Sequence, residues 1–474
     1  FVSGAVGSGV ANAVNLQLQD AGANGLMPVI GGTATLDDEG VSLSGAKFNV
    51  IGLSNGALDT ANQNRGVFDE VVLGTNANDV DDFSLEAEDY YVNAGAGNDS
   101  ITTGSGKDFL VGGEGDDTLN AGAGNDSLLG GAGDDNIDGG EGNDAITGGA
   151  GNDAINGGLG TDTVSYANAV SVTANATGFV VDAGAEGMDT LNGVEKLVFT
   201  VSDGMGGMIA KTFLLVGNGG YATIQAAVDA AAEGDTIVLA DETFIGNVLV
   251  NKGVTIISAN NAGKSGTDAM RTLESVIDGE LMITTTSKVV IDGVTFLNND
   301  EYTLDINDNY VAVKVLAHAS AASGGHVITN SIFLRDPVDP MGFNPTAFAG
   351  SNFQPTHRAV ELAKVGAGSA IVVSDNLFTG TNPYFYAGDN WRTGVYSNGG
   401  EGSTSIAGNT FENVRGALNL DDFGTTVSVT GNNFESAGSA ISLGGTPTVA
   451  TNLATISGNT FGRVVTDFNG QNLS

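Results

Sequence analysis

A nine-residue period runs without insertion through eight consecutive units, from Ala94 to Ser165, and constrains this chain more than any other feature. Gly112-Gly-Glu-Gly-Asp-Asp-Thr-Leu-Asn120 is typical, and Gly148-Gly-Ala-Gly-Asn-Asp-Ala-Ile-Asn156 is another. Glycine holds the second and fourth positions of every unit. Aspartate holds the sixth, at Asp99, Asp108, Asp117, Asp126, Asp135, Asp144, Asp153 and Asp162. An aliphatic residue holds the eighth, at Ile101, Leu110, Leu119, Leu128, Ile137, Ile146, Ile155 and Val164. A fixed period of this kind marks a solenoid in which each repeat is one structural unit. Six residues suffice for a turn and three for a strand, and glycine permits positive φ and close backbone approach in the turn. Two units then close one coil of a parallel β-roll, and each aliphatic stacks on its counterpart in the next coil. Each aspartate faces a neighbouring turn whose carbonyl oxygens also point inward. Such a set of hard oxygen ligands suits Ca²⁺, so the eight aspartates are the expected metal ligands.

Burying one aliphatic side chain per nine residues falls well short of the cost of ordering nine residues. Residues 85–165 also hold 16 acidic residues against one base, Lys107, and like charges oppose compaction. A divalent cation removes that repulsion and couples its own binding to folding. Low hydrophobicity with high charge can also mean a disordered linker, but eight repeats in register argue against one. The units follow the pattern G-G-x-G-x-D-x-U-x, and the segment resembles the RTX, or hemolysin-type, calcium-binding family. The resemblance implies a bacterial protein exported by type I secretion, unfolded at low Ca²⁺ and folding outside the cell. The fifth position departs from the pattern at Lys107 and Thr161, where weaker sites are expected. Two less regular units precede the array, with Asp81/Phe83 and Val92 in the same register.

Composition narrows the possible partners. The net charge is −40, from 56 acidic and 16 basic residues, which disfavours nucleic acid and anionic membranes and favours cations. There is no cysteine, so neither disulfides nor thiolate metal sites are available. No apolar run approaches the roughly 20 residues that span a bilayer, and no membrane insertion is expected. The chain starts at Phe1 without a signal-peptide pattern, as expected of a processed or truncated piece.

Around the array the organisation is β-rich. Residues 1–84 carry short strand-like runs separated by Gly, Asn and Asp. Residues 85–165 form the calcium-binding roll, and 166–212 a β-rich capping or linking segment. Within that segment Asp189-Thr-Leu-Asn-Gly-Val-Glu-Lys-Leu197 resembles the stretch that commonly follows such repeats. Residues 213–474 hold a second, irregular repeat. It opens with an amphipathic helix, Thr223–Ala232, with Thr223 as N-cap and Ile224, Ala227, Val228 and Ala231 on one face. After it a β-branched residue recurs five positions before Phe: Ile291/Phe296, Ile328/Phe333, Val373/Phe378, Ile406/Phe411, Val429/Phe434 and Ile456/Phe461. Four copies add Asn two positions before Phe, at Asn376, Asn409, Asn432 and Asn459. Constant strands with variable loops suit a coiled stack with Phe and β-branched ladders inside and asparagines hydrogen-bonded between coils. The helix would cover the apolar end. This resembles the right-handed parallel β-helix of the pectate-lyase-like superfamily. The expected fold class is all-β: an RTX parallel β-roll plus a right-handed parallel β-helix with one short capping helix.

No complete catalytic constellation is legible. His318, His326 and His357 lack metal spacing and read as exposed loop residues. Gly52-Leu-Ser-Asn-Gly56 matches G-x-S-x-G, but no helix follows it as that motif needs. Asp421 and Asp422 follow a strand-like run and, with Asp389, resemble the paired carboxylates of polysaccharide hydrolysis; a solvated turn is the plainer reading. Arg358, Arg392 and Arg415 are candidate bases for a lyase, or scattered surface arginines. Tyr384, Tyr386, Asp389, Trp391 and Arg392 lie in an aromatic-rich stretch that would stack on a sugar, bury a subunit contact or pack on its own coil. Three functions remain open: a calcium-dependent surface protein such as an S-layer, adhesin or filament subunit; an extracellular lyase, epimerase or hydrolase acting on acidic polysaccharide; and a carbohydrate-binding adhesin module. The expected partners are calcium ions, further copies or neighbouring surface proteins and, in the alternatives, polysaccharide.

Overall fold

The computed structural model describes residues 33–37, 40–44, 48–49, 67–168, 170–202, 207–268, 271, 275–298, 311–316, 325–335, 358–365, 369–380, 393–400, 402–421, 426–444 and 453–466. The chain is all-β apart from one α-helix and a 3-10 turn among the described residues. It divides into two compact units, Phe1–Gly220 and Tyr221–Ser474.

In the first unit two parallel sheets are threaded alternately. One runs through Glu70–Leu73, Tyr90–Ala96, Phe109–Glu114, Ser127–Ala132, Ala145–Ala150, Thr163–Tyr166 and Lys196–Ser202. The other runs through Val80–Asp82, Ser100–Thr102, Thr118–Asn120, Asn136–Gly142, Ala154–Gly160 and Met188–Asn192. Two nonapeptides make one coil, so the eighth-position aliphatics stack in two fully buried ladders. Ile101, Leu119, Ile137 and Ile155 continue to Leu191. Val92, Leu110, Leu128, Ile146 and Val164 continue to Leu197. The second and fourth glycines are required by close approach. Gly113 and Gly115 both have φ +122, and a Cβ on either would strike the carbonyl of Gly95 or Gly97 in the preceding coil.

The parallel stack extends beyond the nonapeptides at both ends. Before them, the register differs from the sequence reading. Asp81 lies opposite Ile101, in the aliphatic row, and the aspartate level with Asp99 is Asp79, 20 residues earlier. Two extra residues between Asp81 and Val92 widen that coil, and Phe83 there stacks on Tyr90 with ring centroids 4.5 Å apart. After the nonapeptides, the hairpin Ser171–Ala174/Phe179–Asp182 is inserted, and Phe179–Asp182 joins the edge of Met188–Asn192 in antiparallel fashion. Met208–Val216 then runs antiparallel to Lys196–Ser202. At the other end, Gly40–Ser44 pairs antiparallel with Glu70–Leu73.

The second unit coils through three strand positions per turn. One sheet stacks Thr236–Leu239, Thr255–Ser258, Val290–Asp292, His326–Thr329, Ala370–Ser374, Ser403–Ala407, Thr426–Thr430 and Leu453–Ser457, all parallel. Its β-branched row aligns Ile291, Ile328, Val373, Ile406, Val429 and Ile456. On the next face Phe296, Phe333, Phe378, Phe411 and Phe434 are fully buried. With Phe461 they form a continuous stack of nearly parallel rings, centroids 4.7–5.1 Å apart. At the corner between these faces, Nδ2 of Asn376, Asn409 and Asn432 each donates to the Oδ1 of the next asparagine, at 2.9–3.0 Å, ending on Asn459. Each of the four also donates to a strand carbonyl.

The helix spans Ile224–Ala230. Thr223 accepts the Ala226 N–H at 3.1 Å as its N-cap, and Ile224, Ala227 and Val228 are buried. It packs on Val248–Val250, the terminal strand of its sheet. Gln225 satisfies that open edge by accepting the Leu249 N–H at 2.7 Å. Lys252 closes the helix C-terminus by donating to the carbonyls of Asp229 and Ala231.

Candidate metal centre

The sixth-position aspartates form two columns, one along each turn edge of the roll. They are almost fully buried, 0–2% exposed, which is unusual for a carboxylate without a cationic partner. The strand–turn geometry explains half of each group's environment. Oδ1 of every one accepts the backbone N–H of the residue one coil earlier, at 2.8–2.9 Å. One column links Asp79, Asp99, Asp117, Asp135 and Asp153 in this way. The other links Tyr90, Asp108, Asp126, Asp144 and Asp162. Oδ2 of all eight is buried and receives no hydrogen bond.

A buried orphaned carboxylate oxygen costs free energy unless something compensates it. Here the orphans are arrayed at one spacing along two lines. They are accompanied by carbonyls: a Cβ on Gly112 would collide with both Asp117 Oδ2 and the Gly130 carbonyl, Gly130 shows the corresponding pair one coil further on, and Gly139 shows it on the other edge, beside Asp144. Among the described residues no three acidic or histidine side chains gather into a cluster, so a cation between coils would take the rest of its ligands from backbone oxygens. All of these donors are hard oxygens, the set Ca²⁺ prefers.

The electrostatics agree. Burial pushes the Asp126 carboxyl up to about 8, those of Asp135 and Asp144 up to about 7, and those of Asp108 and Asp162 up to about 6. The accepted backbone N–H pulls each back down, and neighbouring carboxylates push up again. Asp99, Asp117 and Asp153 are raised for the same leading reason. At neutral pH the ion-free roll therefore strains against ionising these groups, and a divalent cation supplies the missing positive charge.

The fifth position builds a second pair of ladders in the opposite direction. Asn98 Oδ1 accepts the Asp116 N–H, Asp116 that of Asp134, and Asp134 that of Asn152. On the other edge Asn125 accepts from Asn143, and Asn143 from Thr161. Lys107 has no side-chain acceptor, so its position cannot offer this rung.

Two carboxylates that the repeat pattern did not single out continue the columns. Asp153 donates its N–H to Asp189 Oδ1 at 2.9 Å across 36 residues, and Asp162 donates to Glu195 Oε2 at 2.8 Å. The signal was present as the spacing Asp189-x-Leu191 and Glu195-x-Leu197, each with its fourth-position glycine, Gly187 or Gly193, but with Ala185 or Leu191 where the second-position glycine would stand.

Elsewhere the sequence candidates fare differently. His326 is a fully buried strand residue rather than an exposed loop histidine; its Nδ1 accepts the Val289 N–H at 3.1 Å. Arg358 pairs with Glu361 at 2.7 Å and lies 3.7 Å over the Tyr396 ring. Asp421 ends the strand Val414–Asp421, level with Asn398 and Gly444. Its side chain lies outside the described residues, as do Asp422, Tyr384, Tyr386, Asp389, Trp391, Arg392, His318, His357 and Gly52–Gly56.

Residues 93–128 and 129–164 match the family model of the RTX calcium-binding nonapeptide repeat. These are RTX repeats, and calcium ions are the cofactor that such repeats bind. Repeats of this kind are typical of secreted proteins. No curated protein and no solved structure matches the chain. No helix among the described residues is long and apolar enough to cross a membrane.

Proposed function

We propose that this chain is a calcium-locked structural protein of the bacterial cell surface, an S-layer, adhesin or filament subunit exported by type I secretion, whose roll orders only when Ca²⁺ enters its two aspartate columns. Asp99, Asp108, Asp117, Asp126, Asp135, Asp144, Asp153 and Asp162 are the side-chain ligands in this reading. The observation that carries it is the row of eight buried, donor-less Oδ2 atoms. Calcium supplies positive charge there, and the chain's own part is to hold the carboxylates at fixed spacing through the Oδ1 bonds. Low Ca²⁺ inside a cell leaves these groups repelling one another, which keeps the chain unfolded for export.

The second unit is the rigid partner in this reading, a right-handed β-helix of the pectate-lyase-like kind. Parallel crossovers in one sheet are right-handed in about 98% of cases, and the three-faced coils, asparagine ladder and phenylalanine stack support the assignment. A second reading, binding of an acidic polysaccharide, draws on one observation: Arg358, Glu361 and Tyr396 stand together on one sheet. Electron microscopy with and without Ca²⁺ separates the two. Ordered assemblies that dissolve in chelator are expected; monomers alone at high concentration in Ca²⁺ would sink the assembly role. Turnover of alginate or pectin by the purified chain would replace it with an enzymatic one.

A further inference from the structure

We infer that the cation column through Asp99, Asp117, Asp135 and Asp153 continues one step past the nonapeptides, into the gap between Asp153 and Asp189. The inference rests on the calcium reading of the roll and extends it to residues outside the matched repeats.

Glu186-Gly-Met-Asp-Thr-Leu-Asn192 is a displaced ninth repeat. The chain leaves the roll after Tyr166, makes the inserted hairpin, and returns in register. Bond for bond, positions three to nine are reproduced. The Gly151 N–H donates to the Glu186 carbonyl at 2.9 Å, as that of Gly133 does to Ala150 at 2.8 Å. The Met188 N–H donates to Asn152 Oδ1 at 3.1 Å, in the fifth-position manner. The Asp153 N–H donates to Asp189 Oδ1, and the Thr190 N–H to the Asp153 carbonyl, both at 2.9 Å. Gly187 has φ +111, and a Cβ on it would strike the Gly151 carbonyl, as at the other fourth positions. Asp153 and Asp189 are 1% and 0% exposed, and the Oδ2 of each receives no hydrogen bond. Both oxygens are thus buried at this step, with the Tyr166 phenol standing beside the carboxylate of Asp189.

The other edge is built differently. The turn from Leu191 to Leu197 is three residues shorter than a nonapeptide allows, and Glu195 stands in the aspartate's place. Its carboxylate accepts from the Asp162 N–H and from its own N–H. Backbone donors therefore serve it, although the first-position oxygen pair persists on this edge, where a Cβ on Gly157 would meet both the Gly193 carbonyl and Asp162 Oδ2.

A cation between Asp153 and Asp189 would fix the strand Met188–Asn192, to whose free edge the inserted hairpin is hydrogen-bonded through Val181↔Asp189 and Phe179↔Leu191. The added ion would thereby order a segment that is not itself a repeat.

The test is a count of bound Ca²⁺ on the full chain by equilibrium dialysis. Asp189→Asn is expected to lose one ion and Glu195→Gln none. An unchanged count in Asp189→Asn, with ions still bound, overturns this inference alone; no bound ion in the unaltered chain overturns the calcium reading with it. Tb³⁺ gives a second measurement that leaves the carboxylates intact. The buried Tyr166 phenol stands beside Asp189, so Tyr166→Phe should remove part of the tyrosine-sensitised Tb³⁺ emission. Emission unchanged by Tyr166→Phe counts against a cation in this gap.

Discussion

Both units carry ladders of buried polar side chains at the turns of a parallel coil, but only one set is self-sufficient. In the second unit each asparagine is donor and acceptor at once. Asn409 accepts from the N–H and Nδ2 of Asn376 and donates to the Val373 carbonyl and to Asn432. In the roll the ladder residue is aspartate, which when ionised can only accept. One oxygen finds a backbone N–H in the preceding coil and the other finds nothing. The apolar content differs in the same sense. Each coil of the roll buries mainly two ladder aliphatics, whereas the second unit adds a stack of five fully buried phenylalanines. A polar ladder that satisfies itself around a thick core holds without help. One that leaves an anion exposed to low dielectric, around a thin core, makes folding conditional on a cation.

The largest expected consequence is selective. Chelating Ca²⁺ should abolish amide protection across residues 94–165 while leaving the strands Ala370–Ser374, Leu377–Gly380, Ser403–Ala407, Thr410–Glu412 and Thr426–Thr430 protected, as read by hydrogen exchange with mass spectrometry. Equal loss in both units would break the comparison. Next in size is Phe378→Ala, at the middle of the ring stack, which should cost about 3–5 kcal/mol of stability in denaturant titrations, with or without Ca²⁺. Phe461→Ala, at a ring already 44% exposed, should cost far less. Asn409→Ala strands the donors of Asn376 and the Val373 carbonyl, and about 1–3 kcal/mol should follow.

The pH dependence has a definite sign. The raised carboxyls of Asp126, Asp135 and Asp144 hold protons in the folded roll, at about 8, 7 and 7, that the unfolded chain releases near 4. Without Ca²⁺, stability contributed by the protonated groups is therefore present below pH 4 and lost as pH rises towards 8. Circular dichroism in chelator should show more roll structure at pH 5 than at pH 8. With Ca²⁺ the dependence reverses, because protons compete with the ion, and the half-saturating Ca²⁺ concentration should rise as pH falls from 8 to 6. Identical Ca²⁺ titrations at both values would show that the columns are not where the ion binds. The smallest effect is a gain: Lys107→Asn restores a fifth-position acceptor facing the next coil, and should stabilise the Ca²⁺-bound roll by about 0.5–1.5 kcal/mol in thermal unfolding.

Much of this is legible in the residues because a strict period leaves one consistent register. The stacking of Leu110 on Leu128 and of Asp117 below Asp135 follows from nine-residue units closing in pairs. The Phe and Asn rows of the second unit are legible despite loops of unequal length, because the short motif around each phenylalanine is constant. Where the period breaks, spacing misleads. Counting in nines puts Asp81 two residues out, because the coil there is wider. Asp189 and Glu195 do not stand out as members of the carboxylate columns, because an inserted hairpin separates them from the repeats. His326 gives no sign of burial, since a lone histidine in a strand looks the same on either face.

Sequence by itself determined the all-β class, the calcium chemistry and the identity of the repeating core positions, because those depend on spacing alone. Tertiary structure decided where each column stops, which oxygens remain without donors, and that Asp189 rejoins a ladder the chain left 36 residues earlier. Hydrogen-bond satisfaction is a property of neighbouring coils, and which coils are neighbours is settled only when the chain closes on itself.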